Sequence, residues 1–451
     1  MAKKSYFGDE ADKAQKTKKA YIGDVSDISR KIKKMYMGDA NNIARCFFSS
    51  NAAEGSNVIM YGSGKKFYVN NNKNYLIGID KLSLYADGSG LDGFTSGYVG
   101  QRVSAKGNYI YSNPGSGDST SINFYRLEEG SITLFDTLQE SKFPSGSIRS
   151  GSGYGALYLR GVCMSYDEQT VFVASHNENK NTSPNYTDYF YVSSFTVGEN
   201  GLTHVSTQLV TSTSYLYFTL RGFFVAAAES APYVAACMTF NAHNSGDPDT
   251  EYRRVIRYKV NDDKTLTSGI SSGSVTNTAG SQSLSDYNRQ GEIEISANGK
   301  WLAVYHAISA DVYQGSAYLY YCATDTSMTS KDSVWYYQNF GGFRMSRNRL
   351  ISYSTVYSTS ADTGMLSIRL LNDDGTITIN NITIQRSLLS AVSYSLFGIR
   401  TKISRDGTVL IVGSSRTKLV CKLNYSNNTF AVTETVTYAD DNYRYVDIIN
   451  E

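Results

Sequence analysis

The chain has 451 residues and uses Tyr 37 times and Gly 38 times, but Pro only 5 times. Hydrophobic residues make up 41% of the chain and aromatic residues 13%, which is enough for a large core and excludes a wholly disordered protein. The abundance of Tyr, Ser, Thr, Asn and Gly is typical of strands and turns, and it disfavours a coiled coil or a helical solenoid.

The net charge of +2 conceals two differently charged parts. Residues 1–50 hold 11 basic and 6 acidic side chains, a net of +5, whereas the remainder holds 43 − 11 = 32 basic and 41 − 6 = 35 acidic ones, a net of −3. Because the larger part has no positive excess, we expect no nucleic-acid partner. The longest apolar run, Gly222–Met238, is interrupted by Glu229 and Pro232, so we expect no membrane insertion.

The five cysteines are too far apart in the sequence to form a metal-binding pair: Cys46, Cys163, Cys237, Cys322 and Cys421. We expect them to be small buried side chains of a reduced protein. No apolar secretory segment follows the first lysines, so we expect synthesis and folding in a cytoplasm.

A 15-residue repeat occupies the N-terminus, with copies that begin at Lys3, Lys18 and Lys33. Each copy has a Lys-Lys pair, then Tyr, an apolar residue, Gly and Asp. Alternating basic and apolar positions and the turn-forming Gly-Asp pair predict one strand and one turn per copy, a small β-meander. Three short strands are marginally stable alone, so we expect them to pack on the rest of the chain, on further copies or on a partner.

These tandem copies resemble the N-terminal segments of tail and other virion proteins of bacteriophages that infect gut Firmicutes. The resemblance implies that residues 1–48 attach the protein to the particle or oligomerise it. It assigns that role to Tyr6, Gly8, Asp9, Tyr21, Gly23, Asp24, Tyr36, Gly38, Asp39 and Arg45. A solvated basic tail and a nucleic-acid-binding arm are the alternatives, and the acidic residues of every copy disfavour the second.

A longer unit recurs from about Ser56 to the C-terminus: an apolar residue, a small or polar pair, a turn and a short apolar strand. The clear copies begin at Val103, Met164, Ile295, Met345 and Ile403, and weaker ones begin at Val69 and Val225. A second hairpin, such as Ile256–Leu266 or Ile368–Ile377, follows most copies. Turn residues between apolar runs predict hairpins, so each unit is expected to hold four antiparallel strands.

The second strand of each unit, for instance Val171–Val173 or Leu302–Val304, is continuously apolar, which is typical of a strand buried on both faces. Such sheets must stack on neighbours, and a closed ring needs no capping unit. We therefore predict an all-β protein, with a small N-terminal β-repeat segment and a seven-bladed β-propeller in residues 49–451; six or eight blades are the alternatives. Either the last strand (Tyr443–Ile449) or an early strand near Asn57–Met60 is expected to close the ring. The cadence of the units resembles lactonase-like and WD-repeat-like propellers.

Residues capable of catalysis or metal binding form no recognisable constellation. The histidines are scattered, at His176, His204, His243 and His306, and the sequence has no metal-ligand spacing, dinucleotide fingerprint or phosphate-binding loop. The string Gly269–Gly273 matches the nucleophile elbow of hydrolases, but it lies in Thr265–Ser285, which is predicted to be a loop with no helix after it. We expect no catalytic residues, no metal, no cofactor and no enzymatic activity.

Aromatic residues near polar insertions such as Asn177–Asp188 are candidates for a recognition surface. Rigid aromatic side chains beside Ser, Asn and Gly give a large contact area at small entropic cost, and Tyr and Trp also stack on sugar rings. The candidates are Tyr186, Tyr189, Tyr215, Tyr217, Trp335 and Tyr336. The alternative is that these residues only pack between sheets.

Together these features predict a structural protein of a bacteriophage virion, made in the host cytoplasm and located in a tail, baseplate or fibre. Its N-terminus is expected to bind other virion proteins and to form a homo-oligomer. Its propeller is expected to present a surface to a host glycan or host protein. The alternatives are a lactonase-like or glycan-cleaving enzyme carried on the particle, a head decoration protein, and a cytoplasmic interaction module.

Overall fold

A computed structural model describes residues 100–385 with gaps at 107, 114–118, 129–130, 151, 180–185, 216, 244–249, 268, 279–291, 308–314, 337–339, 348 and 357–362. Outside this range it describes only the strands given below. Six of the predicted attachment residues lie outside the described residues: Gly8, Asp9, Tyr21, Gly23, Asp24 and Asp39.

The described residues form 32 strands and one single-turn 3₁₀ segment, Glu140–Lys142. Two hairpins come first: β1 (Tyr6–Phe7) with β2 (Gln15–Lys16), and β3 (Lys34–Gly38) with β4 (Ala44–Ser49). All other strands belong to seven four-stranded sheets, which we number I to VII.

Sheet I begins with β5 (Ser56–Tyr61), β6 (Lys65–Asn70) and β7 (Tyr75–Gly78). Sheet II holds β8 (Gly100–Val103), β9 (Tyr109–Asn113), β10 (Ser121–Glu128) and β11 (Ser131–Gln139), and sheet III holds β12 (Tyr158–Met164), β13 (Thr170–Asn179), β14 (Tyr186–Gly198) and β15 (Gly201–Tyr215). Sheet IV holds β16 (Tyr217–Ala227), β17 (Tyr233–His243), β18 (Thr250–Lys259) and β19 (Ile270–Thr278), and sheet V holds β20 (Glu292–Ile295), β21 (Trp301–Ala307), β22 (Gly315–Thr324) and β23 (Ser327–Tyr336). Sheet VI holds β24 (Phe340–Ser346), β25 (Arg349–Val356), β26 (Thr363–Leu371) and β27 (Ile377–Gln385), and sheet VII holds β28 (Lys402–Ile403), β29 (Val409–Gly413), β30 (Thr417–Asn424) and β31 (Thr429–Thr437). The last strand, β32 (Tyr445–Val446), completes sheet I.

Sheets II to VII are antiparallel meanders in which strand order follows chain order. The first strand of each sheet from III to VI contacts the first strand of the next sheet, so these sheets follow one another side by side. In sheet I, β32 pairs with β7, with Tyr445 opposite Tyr75. The all-β prediction and the four-stranded units are confirmed, and the predicted last strand does pair with a strand from the N-terminal half.

The second strands of sheets III, IV and V supply side chains to two cores, as their continuous apolar sequences predict. In β13, Val171 and Val173 pack into the core with sheet II, whereas Phe172 and Ala174 pack into the core with sheet IV. All four are at most 2% exposed. Sheets III, IV and V therefore depend on neighbours on both sides for the burial of their central strands.

The recurring serine of the repeat builds the turn between the first and second strands. In sheet III the Ser165 N–H donates to the Thr170 carbonyl at 2.8 Å, and the Thr170 N–H donates to Ser165 Oγ at 2.9 Å. Ser296 and Trp301 repeat both bonds in sheet V, each at 2.9 Å. The Ser-x-(Asp/Asn) cadence is therefore a local turn device, in which the Asp or Asn oxygen also accepts the serine hydroxyl.

The turns between the third and fourth strands also share one geometry. The Asn261 and Asn372 amides each donate to a threonine hydroxyl four residues later at 2.9 Å. The residue before that threonine has a left-handed backbone in both turns, with φ of 68° at Lys264 and 85° at Gly375. Lysine thus occupies a conformation that favours glycine.

These turns tie neighbouring sheets together at one end of the strands, which we call the turn end. Asn298 Nδ2 donates to Asp373 Oδ1 at 2.6 Å and joins sheets V and VI. Glu168 accepts the Lys106 N–H at 2.7 Å and joins sheets III and II. The opposite end, the loop end, holds the connections between second and third strands and those between consecutive sheets.

Two local predictions were wrong. The Ser/Gly/Thr-rich run Thr265–Ser285 contains a strand, β19, in which Ser271 lies opposite Ile256. Pairing with β18 outweighs the weak strand propensity of Gly and Ser. In the first and third N-terminal copies, two strands pair as a hairpin in place of the single strand predicted for each copy.

Replacing Lys264 with glycine should stabilise the protein, because it relieves a left-handed backbone at a residue with a Cβ. We expect the free energy of unfolding to rise by about 0.5–1 kcal/mol, measured by urea denaturation. The matched change Gly375→Ala should destabilise, since a Cβ there would lie 2.8 Å from the Tyr321 ring. A loss of stability in Lys264→Gly would contradict this account of the turn.

Candidate functional site

All six predicted recognition positions lie at the loop end of their sheets. Tyr186 begins β14 and lies opposite Tyr215, the last residue of β15. Tyr217 begins β16, opposite His243. Trp335 and Tyr336 end β23, opposite Ser316 and Gly315 of β22. Tyr189, three residues into β14, is the member of the set whose side-chain contacts are described.

Four of the predicted attachment residues lie in the N-terminal hairpins. Tyr6 lies opposite Lys16 in the first hairpin. Tyr36 lies opposite Cys46, and Gly38 lies opposite Ala44, in the second hairpin. Arg45 lies opposite Met37 in the same hairpin.

An exposed basic and aromatic group at the loop end of sheet III involves Tyr189, and we call Arg149, Tyr154 and Tyr189 the Arg149 patch. The Tyr154 and Tyr189 rings meet at an angle of 56°, with their centroids 6.1 Å apart. The Arg149 guanidinium carbon lies 5.7 Å from the Tyr189 ring centroid, near the outer limit of a cation–π contact. Arg149 is exposed and both tyrosines are half-buried, so two ring surfaces and a charge are presented together.

The chain that carries this patch is fixed to β13 and β14. The Arg149 N–H donates to Tyr191 Oη at 3.0 Å, and Asn177 Nδ2 donates to the Arg149 carbonyl. The Gly155 N–H donates to the Glu178 carbonyl at 2.7 Å. Burial raises the pKa of Tyr191, so its hydroxyl stays protonated at neutral pH. The patch is therefore pre-organised before any ligand arrives.

A polar cluster lies on the opposite face of the same strands, toward sheet IV, and consists of the buried residues Arg160, His176 and Asp188 with the half-buried Glu178. Arg160 Nε donates to His176 Nδ1 at 3.3 Å, which requires a neutral imidazole. Glu178 of β13 lies directly opposite Asp188 of β14, so the two carboxyl groups share one face of the sheet.

Burial sets the protonation state of this cluster. Burial, with a smaller effect from the Arg160 charge, lowers the pKa of His176 to about 3. Burial raises the pKa of Asp188 to about 7, and the neighbouring Glu178 charge adds to that rise while Arg160 opposes it. Near neutral pH the histidine is therefore uncharged and Asp188 is close to half protonated.

The residues that the structure describes also bear on metal binding, membrane insertion and disulfide formation. Within it, no three His, Cys, Asp or Glu side chains are arranged to bind a metal ion. In the same part, no helix is long and apolar enough to cross a membrane. The cysteines whose side chains the structure describes, Cys163, Cys237, Cys322 and Cys421, form no disulfide. The last three are buried as predicted, whereas Cys163 is half-buried.

Sequence reasoning placed a polar insertion at Asn177–Asp188, and this was wrong at both ends. Asn177–Asn179 and Tyr186–Asp188 are strand residues, because pairing of β13 with β14 continues beyond the apolar part of each strand. Arg149, Tyr154, Arg160 and Asp188 were missed as site residues. The alternation Ser-His-Asn-Glu at the end of an apolar strand was the available signal, since it places different polar groups on the two faces.

No protein-family model matches the chain, and no curated protein matches it. Among solved structures it is similar to a protein of unknown function from Desulfotomaculum acetoxidans, with 12% identity, a TM-score of 0.44, and coverage of 87% of this chain and 96% of that one. It is also similar to a candidate 6-phosphogluconolactonase from Bacteroides fragilis, with 13% identity, a TM-score of 0.43, and coverage of 89% and 98%. A protein from Lactobacillus plantarum gives 12% identity, a TM-score of 0.42, and coverage of 88% and 96%. Because these scores are low, the fold described above rests on strand pairing.

The variant Asp188→Asn should be more stable than the natural protein at pH 8. The native pKa of about 7 lies above the ordinary value of 3.8, so the native state keeps a proton that the unfolded chain releases. The stability from Asp188 is complete below pH about 4 and is lost as the pH rises toward about 7. We expect a gain of about 1–3 kcal/mol at pH 8 that shrinks toward pH 4, measured by urea denaturation.

Comparison with the natural protein at each pH cancels the contribution of His176, which runs the other way and grows as the pH rises from about 3 to 6.5. Asp263→Asn is the matched control, because hydrogen bonds from Thr265 lower the pKa of Asp263 in its exposed turn. That variant should lose stability at neutral pH and recover at low pH. A gain for Asp188→Asn that is independent of pH would refute the assignment.

Proposed function

We propose that the protein is a recognition component of a bacteriophage virion, a seven-bladed β-propeller that binds a host surface molecule through its loop end. In this proposal, residues 1–48 attach it to other virion proteins as a homo-oligomer, in a tail, baseplate or fibre. The observation that carries the binding role is the Arg149 patch, a fixed and exposed group of two rings and one charge.

The ring is supported by the contacts between sheets and by the pairing of the chain ends. First strands contact one another from sheet III to sheet VII, and β32 pairs with β7. Because second strands bury both faces, a terminal sheet in an open stack would leave an apolar face in water. A closed ring of seven blades would give each of the seven sheets a neighbour on both sides.

The choice of the loop end follows from what the two ends already do. At the turn end, described side chains bond to the next sheet, as Trp301 Nε1 does to the Asn372 carbonyl at 2.9 Å and Arg257 Nη1 does to the Gly299 carbonyl at 2.8 Å. At the loop end, all six candidate aromatic positions lie at or near strand ends, next to connections of variable length. Rigid aromatic groups at strand ends, beside connections of variable length, favour recognition over a purely structural role.

The double variant Tyr154→Ala/Tyr189→Ala should lose binding to host cells by about tenfold or more, because it removes both ring surfaces of the patch. Binding is measured with fluorescently labelled full-length protein on the cells that the phage infects. Tyr166→Ala, which removes a half-buried tyrosine at the turn end of the same sheet, is the matched control and should bind normally. Equal binding by the double variant, with unchanged thermal unfolding, would refute recognition through this patch.

The N-terminal repeat should control incorporation into particles. We expect the full chain with Tyr6, Tyr21 and Tyr36 all replaced by alanine to be lost from purified virions while it still binds cells, since each repeat then lacks its recurring tyrosine. Quantitative immunoblotting of purified particles measures incorporation. Absence of the natural protein from particles, or normal incorporation of the variant, would overturn the virion role of this segment.

A further inference from the structure

The positive charge of the Arg149 patch is available to a ligand. Arg149 is exposed, and among the described side chains no carboxylate forms an ion pair with it. Its guanidinium carbon lies 5.7 Å from the Tyr189 ring centroid, near the outer limit of a cation–π contact, so the ring holds the charge only weakly. The planar N–H donors of this guanidinium therefore remain open to an anion.

The backbone of Arg149, which carries that charge on a flexible side chain, is held in place. Bonds from the Arg149 N–H to Tyr191 and from Asn177 to the Arg149 carbonyl hold both sides of the residue. The Arg149 side chain therefore extends from a defined backbone position beside two ring surfaces that meet at 56°. A ligand with a flat apolar face and a nearby anionic group fits this combination.

A third feature lies under the patch. Asn177, which holds the Arg149 carbonyl through Nδ2, is 1% exposed, and its Oδ1 accepts no hydrogen bond from the described residues. A buried acceptor without a donor is unfavourable by about 1–3 kcal/mol. Because this oxygen is closed to solvent, it marks a buried polar position beneath the patch and does not by itself select a ligand.

We infer that the Arg149 patch binds an anionic saccharide, whose sugar ring lies against Tyr154 or Tyr189 and whose carboxylate or phosphate bonds to Arg149. The inference rests on the proposed recognition function and gives it a ligand class. The C–H face of a pyranose ring matches an aromatic surface, and the guanidinium binds a carboxylate or phosphate with two parallel hydrogen bonds. An acidic peptide without ring-bearing side chains offers the anion but no flat face, whereas an anionic saccharide offers both, so we favour the saccharide.

The test is calorimetric titration of the full-length protein with matched pairs of probes. One pair is oligogalacturonate and its carboxyl-reduced form, and the other is a phosphomannan oligosaccharide and its dephosphorylated form. We expect at least one anionic probe to bind about tenfold or more tightly than its neutral partner, because a charge-assisted hydrogen bond is lost with the anion. The pair that shows the difference identifies the anion as carboxylate or phosphate.

Variants separate the charge from the rings. Arg149→Gln should abolish the preference for the anionic probe and leave the weaker binding of its neutral partner. Arg126→Gln is the matched control, because Arg126 also lies over an aromatic ring, 4.7 Å from the Phe135 centroid, but at the turn end of sheet II. It should bind both probes as the natural protein does.

The failures of the two proposals are distinguishable. Equal binding of anionic and neutral probes, an unchanged preference in Arg149→Gln, or equal binding of a polyglutamate peptide would overturn the anionic saccharide. If none of the probes binds while Tyr154→Ala/Tyr189→Ala still abolishes cell binding, the ligand class is wrong and the recognition role stands. If cell binding also survives that double variant, recognition through the patch is refuted, and the anionic saccharide proposal, which rests on it, is refuted as well.

Discussion

Burial of the second strand on both faces is the constraint on which the rest of the structure depends. In β13, successive residues enter different cores, so Val171 faces sheet II and Phe172 faces sheet IV. Neither core exists without the neighbouring sheet. At roughly 25 cal/mol per Å² of apolar surface, one exposed sheet face would outweigh the marginal stability of a domain. The apolar sequence of the second strands therefore requires the sheets to stack on one another. The turns and loops connect the strands of sheets that are stacked in this way.

The two ends of the strands have different roles in this stacked arrangement. Short turns at one end carry Ser, Asn and Asp, whose side chains first shape their own turn and then reach the next sheet, as Asn298 reaches Asp373. The other end holds the connections between sheets, and the long stretch from Glu140 to Leu157 carries Arg149 and Tyr154. Since the turn end is occupied by structural bonds, the loop end is where new contacts cost the fold least. The polar cluster lies just beneath it, where polar groups face a closed interface.

Much of the fold follows from sequence patterns, because those patterns are local. Continuous apolar strands such as Leu302–Val304 and the Ser-x-(Asp/Asn) turns recur in register, and the structure reproduces both. The predictions failed where pairing overrides composition. Gly and Ser in Ile270–Thr278 suggested a loop, yet the free edge of β18 takes them as a strand. The candidate site was only half predictable: Tyr189 carries an aromatic signal, whereas Arg149 becomes its neighbour through contacts between residues forty positions apart.

The proposed recognition role requires the loop end to face away from the particle. Electron cryomicroscopy of intact virions, with the protein located by a bound antibody fragment, measures this orientation directly. The account predicts a disc of seven blades joined to the particle through its N-terminal segment, with the Arg149 patch on the outward face. A disc whose loop end is buried against other virion proteins, or virions that lack the protein, would contradict it.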